Sequence, residues 1–501
     1  MCWPPTSGAC RTRPSWPRRR AVEDTASAPT RPARRVIPIA AAKEEGGGLF
    51  AAHKKIYPRA VRGVFARWRW TMVFLTQLVF YGLPWLEWGE RQAVLFDLGA
   101  RRFYIFGLVL YPQDLIYLTG LLVISALSLF LFTAVAGRLW CGYACPQTVY
   151  SEIFLWVEHK IEGNRIARMR LDEGEFSLEK LVKKWFKHVV WLGIALWTGF
   201  TFVGYFTPIH ELGLAFLQTR MGSWEVFWAL FYGFATYGNA GFMREQVCMY
   251  MCPYARFQSA MFDRDTLIVS YDRERGEPRG VRSKGSDARA LGIGDCIDCT
   301  LCVQVCPTGI DIRKGLQYEC IGCGLCVDAC DTVMDKMASP RGLIRYATQN
   351  GMAGHWTRSQ VLRRVLRPRV LIYAGVLMAL TVGLLASLVV RMPLKVDVVR
   401  DRASLARIVE GGQLENVYRL QIMNASERPQ RYRIEARGLE GLGVSPAEPV
   451  EVGPAQSRWV AVRLQLPYGS APAGSHAVHF DIRSLDGSAQ VSEKAAFMVP
   501  R

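Results

Sequence analysis

Eight cysteines in two matched runs, Cys296-x2-Cys299-x2-Cys302-x3-Cys306-Pro307 and Cys320-x2-Cys323-x2-Cys326-x3-Cys330, constrain this chain more than any other feature. The spacing is that of a segment holding two [4Fe–4S] clusters, in which the last cysteine of each run serves the cluster of the other. Cys296, Cys299, Cys302 and Cys330 are expected around one cluster, and Cys306, Cys320, Cys323 and Cys326 around its twin. A segment tied in this crossed manner must fold back on itself, whatever its local helix or strand preference. Zinc is a poorer reading, because structural zinc sites take four ligands over longer spacers. Disulfides are disfavoured where thiols stay reduced. Pro307 follows Cys306 while Asp331 follows Cys330, a difference that touches no ligand. The chemistry implied is electron transfer.

Half of the 501 residues are apolar and 12% are aromatic, more than an iron–sulfur domain alone needs. The surplus lies in five runs at about 70–88, 105–136, 188–208, 224–242 and 370–390, each near the ~20 residues that cross a bilayer. Trp85, Trp88, Tyr104, Trp140, Trp191, Tyr205 and Trp224 sit at their ends, as in an aromatic belt. The connection 137–187 carries Arg138, Lys160, Arg165, Arg168, Arg170, Lys180, Lys183, Lys184 and Lys187, whereas 209–223 carries only Arg220. By the positive-inside rule the first connection is cytoplasmic. Alternation then places the N-terminus and the cysteine-rich region inside and sends the C-terminus across. The net charge of +19 follows from this topology and from apposition to anionic lipid, and no nucleic-acid recognition motif accompanies it.

Composition divides the chain further. Residues 1–50 form a basic tail rich in Arg, Pro, Ala and Ser, expected to be disordered, with Cys2 and Cys10 as bystanders. Four membrane helices are expected within 51–260, the iron–sulfur region within 261–369, and the fifth helix at 370–390. From 395 to 501 the pattern changes to short alternating stretches, Val417–Ile422, Arg431–Ala436, Trp459–Leu466 and Ala477–Ile482, separated by turn residues. Period-two patterning of this kind predicts a small antiparallel sandwich.

The four remaining cysteines form two copies of a second motif, Cys141-Gly-Tyr-Ala-Cys145-Pro146 and Cys248-Met-Tyr-Met-Cys252-Pro253. Each follows an even-numbered run, so both emerge on the cytoplasmic side, where four thiols could converge. The prolines place a helix break at the second cysteine of each motif. Thiolates with the thioethers of Met243, Met249 and Met251 nearby suit copper(I); four thiolates alone also suit zinc or an iron–sulfur cluster. Inert buried thiols are the bland alternative. Haem is not expected, since His188 and His210 fall at opposite ends of one predicted helix. Asp114 is the main acid within the apolar runs.

Leu83-Pro84-Trp85, Arg91-Gln92-Ala93-Val94-Leu95-Phe96-Asp97, Gly137-Arg138-Leu139-Trp140-Cys141-Gly142-Tyr143-Ala144-Cys145-Pro146-Gln147-Thr148, Thr198-Gly199-Phe200, Gly204-Tyr205-Phe206-Thr207-Pro208 and Gly294-Asp295-Cys296-Ile297-Asp298-Cys299 carry a resemblance to a known family. From about Lys54 to its end the chain resembles the CcoG/FixG-type accessory proteins for assembly of cbb3-type cytochrome c oxidase. The resemblance implies a multi-domain α+β protein of the bacterial inner membrane: a five-helix bundle, an inserted cytoplasmic two-cluster ferredoxin domain, and a periplasmic immunoglobulin-like β-sandwich. It also implies reduction of copper(II) to copper(I), and Cys141, Cys145, Cys248 and Cys252 are where copper would be held. Oxidase assembly factors or a copper-exporting ATPase would be partners, with an electron donor of unassigned identity and room for a homodimer. The competing readings are a polyferredoxin subunit relaying quinol electrons to a periplasmic reductase, and a copper carrier without redox activity.

Overall fold

The computed structural model describes residues 55–500, apart from 285, 287, 289, 402–405 and 410; the basic tail with Cys2 and Cys10 lies outside them. Among the described residues three helices are long and apolar enough to cross a bilayer: Pro112–Ala136, Leu178–Val203 and Pro368–Val389. The first and last of these present exposed apolar side chains along their length, Ile116, Leu122, Ile372 and Met378 among them. Such surfaces need lipid.

Each of the five predicted runs contains helix, with shifted bounds, but among the described residues only those at 105–136, 188–208 and 370–390 overlap helices long and apolar enough to cross a bilayer. The first helix, α1, is Val64–Gly82 and not 70–88. Pro84 lies in a 3₁₀ turn from Leu83 to Trp85, after which Glu87–Trp88 pairs with Arg91–Gln92. Residues 94–110, partly assigned to the second run, form a three-stranded meander of β1 (Val94–Asp97), β2 (Arg102–Ile105) and β3 (Leu108–Leu110). Only then does α2 (Leu115–Ala136) begin. The short α3 (Leu139–Tyr143) and the long α4 (Pro146–Glu162) follow. The third run becomes α5 (Leu178–Val203), which starts early because Ser177 accepts the Lys180 N–H as its N-cap. His210 lies beyond this helix, in Ile209–Leu217, so the two histidines do not share one helix as expected. The fourth run is α-helical only as α6 (Ser223–Thr236), then continues as a π-helix from Tyr237 to Met243. Gly199 of α5 allows a close crossing: a Cβ there would stand 2.0 Å from the Ala229 carbonyl oxygen of α6.

Several charges that signalled a cytoplasmic loop are buried. Arg138, Arg168 and Lys187 are all less than 5% exposed. Glu158, fully buried in α4, accepts from Arg168 at 3.2 Å and from Arg244 at 3.0 Å. Glu162 pairs with Lys184 at 2.9 Å and Lys187 at 2.8 Å. Removing one member of such a network leaves buried charge without a partner. Glu158→Ala is therefore expected to cost about 3–5 kcal/mol of stability, read from thermal unfolding in detergent. A loss within error of wild type would show that solvent reaches the cluster.

The iron–sulfur region is built on the hairpin pair β4 (Ile268–Tyr271) and β5 (Ile344–Ala347), with the short α7 (Pro253–Ala260) leading in and α8 (Leu325–Met337) against it. Asp328 of α8 accepts the Phe65 and Ala66 N–H groups at 3.2 and 2.7 Å, so a carboxylate caps the start of α1. This fastens the region to the first apolar helix.

After α9 (Pro368–Val389) come nine strands in two antiparallel sheets. Leu394–Arg400, Arg407–Val409, Gln413–Asn424, Gly443–Ser445 and Ser457–Pro467 form one; Gln430–Arg437, Val450–Val452, Gly474–Ser484 and Gln490–Val499 form the other. All four alternating stretches of the sequence lie within these strands. Their inward residues, including Tyr418, Leu464, Phe480 and Phe497, make one core. The meander binds the sandwich: Leu95, Tyr104 and Val109 pack with Met423 and Ala455, and Arg102 donates to the Ala455 carbonyl at 2.9 Å. Asp114 is buried here, paired with Arg391 at 2.6 Å and with Lys395, which gives this acid a structural partner at the helix end.

Candidate metal centre

Proline decides the local geometry of both C-x3-C-P motifs. Cys145 is the extended residue just before α4, with Pro146 in the first helical position, and Cys252 stands likewise before α7 with Pro253. The expected break at the second cysteine is where the chain breaks. Cys141 lies in α3 and Cys248 in a one-turn π-helix, Val247–Met251.

The fold brings the two motifs near one another, but no three of their thiols converge on one point. Cys141, Cys145 and Cys252 each act electrostatically on Cys248, and Cys145 and Cys252 act on Cys141. The Cys141 thiol donates to the Gln258 Oε1 at 3.2 Å, and Thr148 donates to the Cys141 carbonyl at 2.6 Å. Burial pushes the Cys248 thiol up to about 12. Burial also raises Cys141, against the opposing pull of Arg138.

The structure places the eight ferredoxin cysteines on the walls of two cavities. One cavity is lined by Cys296, Cys299, Cys302 and Cys330, together with apolar Leu301, Val333 and Met334. A second is lined by Cys306, Cys320, Cys323 and Cys326, with Cys302 at its margin. Burial raises Cys302, Cys320 and Cys330 to about 12 and Cys323 to about 11. Thiols this basic are protonated at neutral pH, so holding iron as thiolates displaces protons. Among the described residues no three His, Cys, Asp or Glu side chains converge closely enough for a single metal ion. At least four cysteines on the walls of each cavity match the four thiolates that a [4Fe–4S] core takes. Cys299 is exposed while its seven companions are buried or half-buried, so the first set faces solvent.

The second set faces the C-x3-C-P motifs. A Cβ on Gly142 would stand 2.8 Å from the Ile321 carbonyl oxygen and 3.0 Å from the Cys323 Cα, so the two cysteine loops touch backbone to backbone. Tyr143 donates to the Cys323 carbonyl at 3.0 Å, and Tyr346 donates to that of Gly322 at 2.5 Å. Arg138 donates to the Tyr318 carbonyl. Cys141 itself packs into the apolar cluster of Ile321, Cys323 and Leu325. Arg138, Tyr143 and Gln258 escaped the sequence reading. Arg138 had looked like one more loop charge; no periodic signal marks the other two.

Three family models match: "4Fe-4S binding domain" over residues 118–164, "4Fe-4S dicluster domain" over 243–349, and "IG-like fold at C-terminal of FixG" over 384–500. Protein RdxA of Cereibacter sphaeroides is 40% identical over 469 residues, covering 90% of this chain and 98% of that protein. Nitrogen fixation protein FixG of Rhizobium meliloti is 39% identical over 426 residues, 78% of this chain and 81% of its own. A crystal structure of a FixG-related protein from Vibrio parahaemolyticus aligns with 21% of this chain and 95% of its own, at 20% identity and a TM-score of 0.20. With relatives this similar along most of its length, the chain belongs to the FixG/RdxA family and is an iron–sulfur electron-transfer protein.

Proposed function

We propose that this protein is a cupric reductase of the bacterial inner membrane that serves assembly of a cbb3-type oxidase. In this reading α1, α2, α5, α6 with its π-helical extension, and α9 are the five spans. The ferredoxin region lies in the cytoplasm and the sandwich in the periplasm. Cys296, Cys299, Cys302 and Cys330 would hold one [4Fe–4S] cluster and Cys306, Cys320, Cys323 and Cys326 the other, each supplying storage for one electron.

Copper is the substrate. Cys141, Cys145, Cys248 and Cys252 draw in to receive copper(II), since no three of these thiols converge on one point in the structure; the ion takes one electron and becomes copper(I), and no bond to oxygen or hydrogen changes. Soft sulfur ligands favour the reduced ion, so binding at thiolates adds driving force to the step. Gln258 orients the Cys141 thiol, and Arg138 offers positive charge to the same thiol. The observation that carries the reading is the contact of Gly142 with Ile321 and Cys323, which leaves no residue between the copper motif and the second ferredoxin set. Oxidase assembly factors or a copper-exporting ATPase are the proposed recipients of copper(I).

The test is direct. Protein reduced anaerobically with dithionite and freed of excess reductant is expected to convert copper(II) to copper(I), one ion per stored electron, measured with a copper(I)-specific chelator. Copper bound with its oxidation state unchanged would leave a carrier instead. Reduction of the clusters by quinol, with no transfer to copper, would leave a relay to a periplasmic enzyme.

A further inference from the structure

Arg138 is 3% exposed, and among the described residues no carboxylate lies within ion-pairing distance of it. Its guanidinium donates to the Tyr318 carbonyl, two residues before Cys320, and its charge acts on the Cys141 and Cys320 thiols. Its Nε has no hydrogen-bond partner in the described structure. The main chain of Arg138 lies against Gly322, whose Cβ would stand 3.4 Å from the Arg138 carbonyl carbon. The residue is thus wedged between the loop of Cys141 and the loop of Cys320 to Cys323. Arg69 gives the contrast: it too is buried, on the flank of Cys306 and Cys323, but Glu152 balances it at 3.0 Å.

A guanidinium removed from water without a counter-charge costs several kcal/mol unless something negative faces it. The groups that do face it are sulfur. A [4Fe–4S] core bound by four thiolates carries net negative charge, which grows by one unit on reduction. A fixed cation beside one such core stabilises the reduced form of that core most, because the interaction falls with distance and is weakly screened in a buried site; the cation on the wall of the other cavity, Arg313, is balanced by Asp311 at 2.8 Å and by Asp298.

We propose that Arg138 is a positioning residue for the electron: its charge makes the core held by Cys306, Cys320, Cys323 and Cys326 easier to reduce than the core held by Cys296, Cys299, Cys302 and Cys330. The stored electron then rests on the side of Cys141. This deepens the reductase reading and rests on it for its purpose, but its physical content is a difference in reduction potential that is measurable without copper.

The experiment uses the full-length protein loaded with iron and sulfide, poised at a series of potentials with dithionite and mediators, and followed by electron paramagnetic resonance. The signal of the second core is assigned as the one altered by Cys320→Ser. In Arg138→Gln the ratio of reduced to oxidised second core at a fixed potential is expected to fall at least tenfold, equivalent to about 59 mV for one electron. The first core should hold its wild-type value, and Arg138→Lys should restore most of the shift because it keeps the charge. Gln258→Glu supplies a second route if Arg138→Gln fails to load its clusters, since it sets a carboxylate against Cys141, which packs with Cys323, and should move the second core in the same direction. An unchanged second core in loaded Arg138→Gln or Gln258→Glu overturns the proposal, as does an equal shift of both cores or a failure of lysine to rescue. Copper reduction is assayed separately: its absence in wild type would remove the reductase reading while leaving the potential shift to stand or fall alone.

Discussion

With Cys141, Cys145, Cys248 and Cys252 all replaced by serine, dithionite-reduced protein is expected to lose copper(II) reduction to the background level while keeping its full iron and sulfide content. Serine nearly matches cysteine in volume, so the buried packing around Ile321 and Leu325 is retained. What changes is the donor: a neutral hydroxyl is a hard and weak ligand, unsuited to copper(I). None of the four residues lines the cavity of Cys296, Cys299, Cys302 and Cys330, or that of Cys306, Cys320, Cys323 and Cys326. Iron chemistry should therefore be untouched. Wild-type rates in this variant would take copper away from these thiols. A fall in iron content would point elsewhere again, to an iron–sulfur centre held by the motifs themselves, in line with the 4Fe-4S binding model that matches residues 118–164.

The second large effect is steric. Gly142→Val should slow copper reduction by about 100-fold, the order of loss that a misplacement of ~1 Å brings to a geometry-dependent step. The atoms that a new Cβ would strike, the Ile321 carbonyl oxygen and the Cys323 Cα, are main chain. They cannot swing aside as the end of a side chain can, so the two loops must part. Overpacking of this kind also costs about 1–3 kcal/mol of stability, visible in thermal unfolding. Gly142→Ala should lie between wild type and valine in rate. Stopped-flow measurement of copper(I) formation gives the rates, with iron content as the control for loading. Unchanged rates in a loaded Gly142→Val protein would mean that electrons reach copper by another route, and the proposed function would lose its supporting observation.

Much of the architecture was legible because it rests on local repetition. The strand period of two in Val417–Ile422 and Ala477–Ile482 marks a sandwich whose alternate residues form one core. The prolines after Cys145 and Cys252 fix where each helix can start, and both helices start there. Apolar runs were found, but their ends were misjudged where apolar content and helix do not coincide. Residues 105–110 are apolar because they belong to a meander packed near the sandwich, and α5 begins in a lysine-rich turn because Ser177 caps it. The positive-inside count took Arg138, Arg168 and Lys187 as charges of a cytoplasmic connection, yet each is buried. Composition cannot distinguish a lysine in water from one held by Glu162.

The amino-acid sequence by itself determined the two cysteine runs of a dicluster domain, the apolar helices and the β character of the C-terminal region. Each of these follows from spacing or periodicity within a short stretch of chain. Only the tertiary structure decided what meets what: Gly142 against Cys323, Arg138 between two thiol sets without an acid, Asp328 capping a helix that begins more than 260 residues earlier. Such contacts arise from packing between elements far apart in the chain, where close approach is set by the shape and volume of everything between them. No repeat in the sequence encodes that distance, and it is the distance that sets Cys141 and the Gly142 backbone against the loop of Ile321 and Cys323.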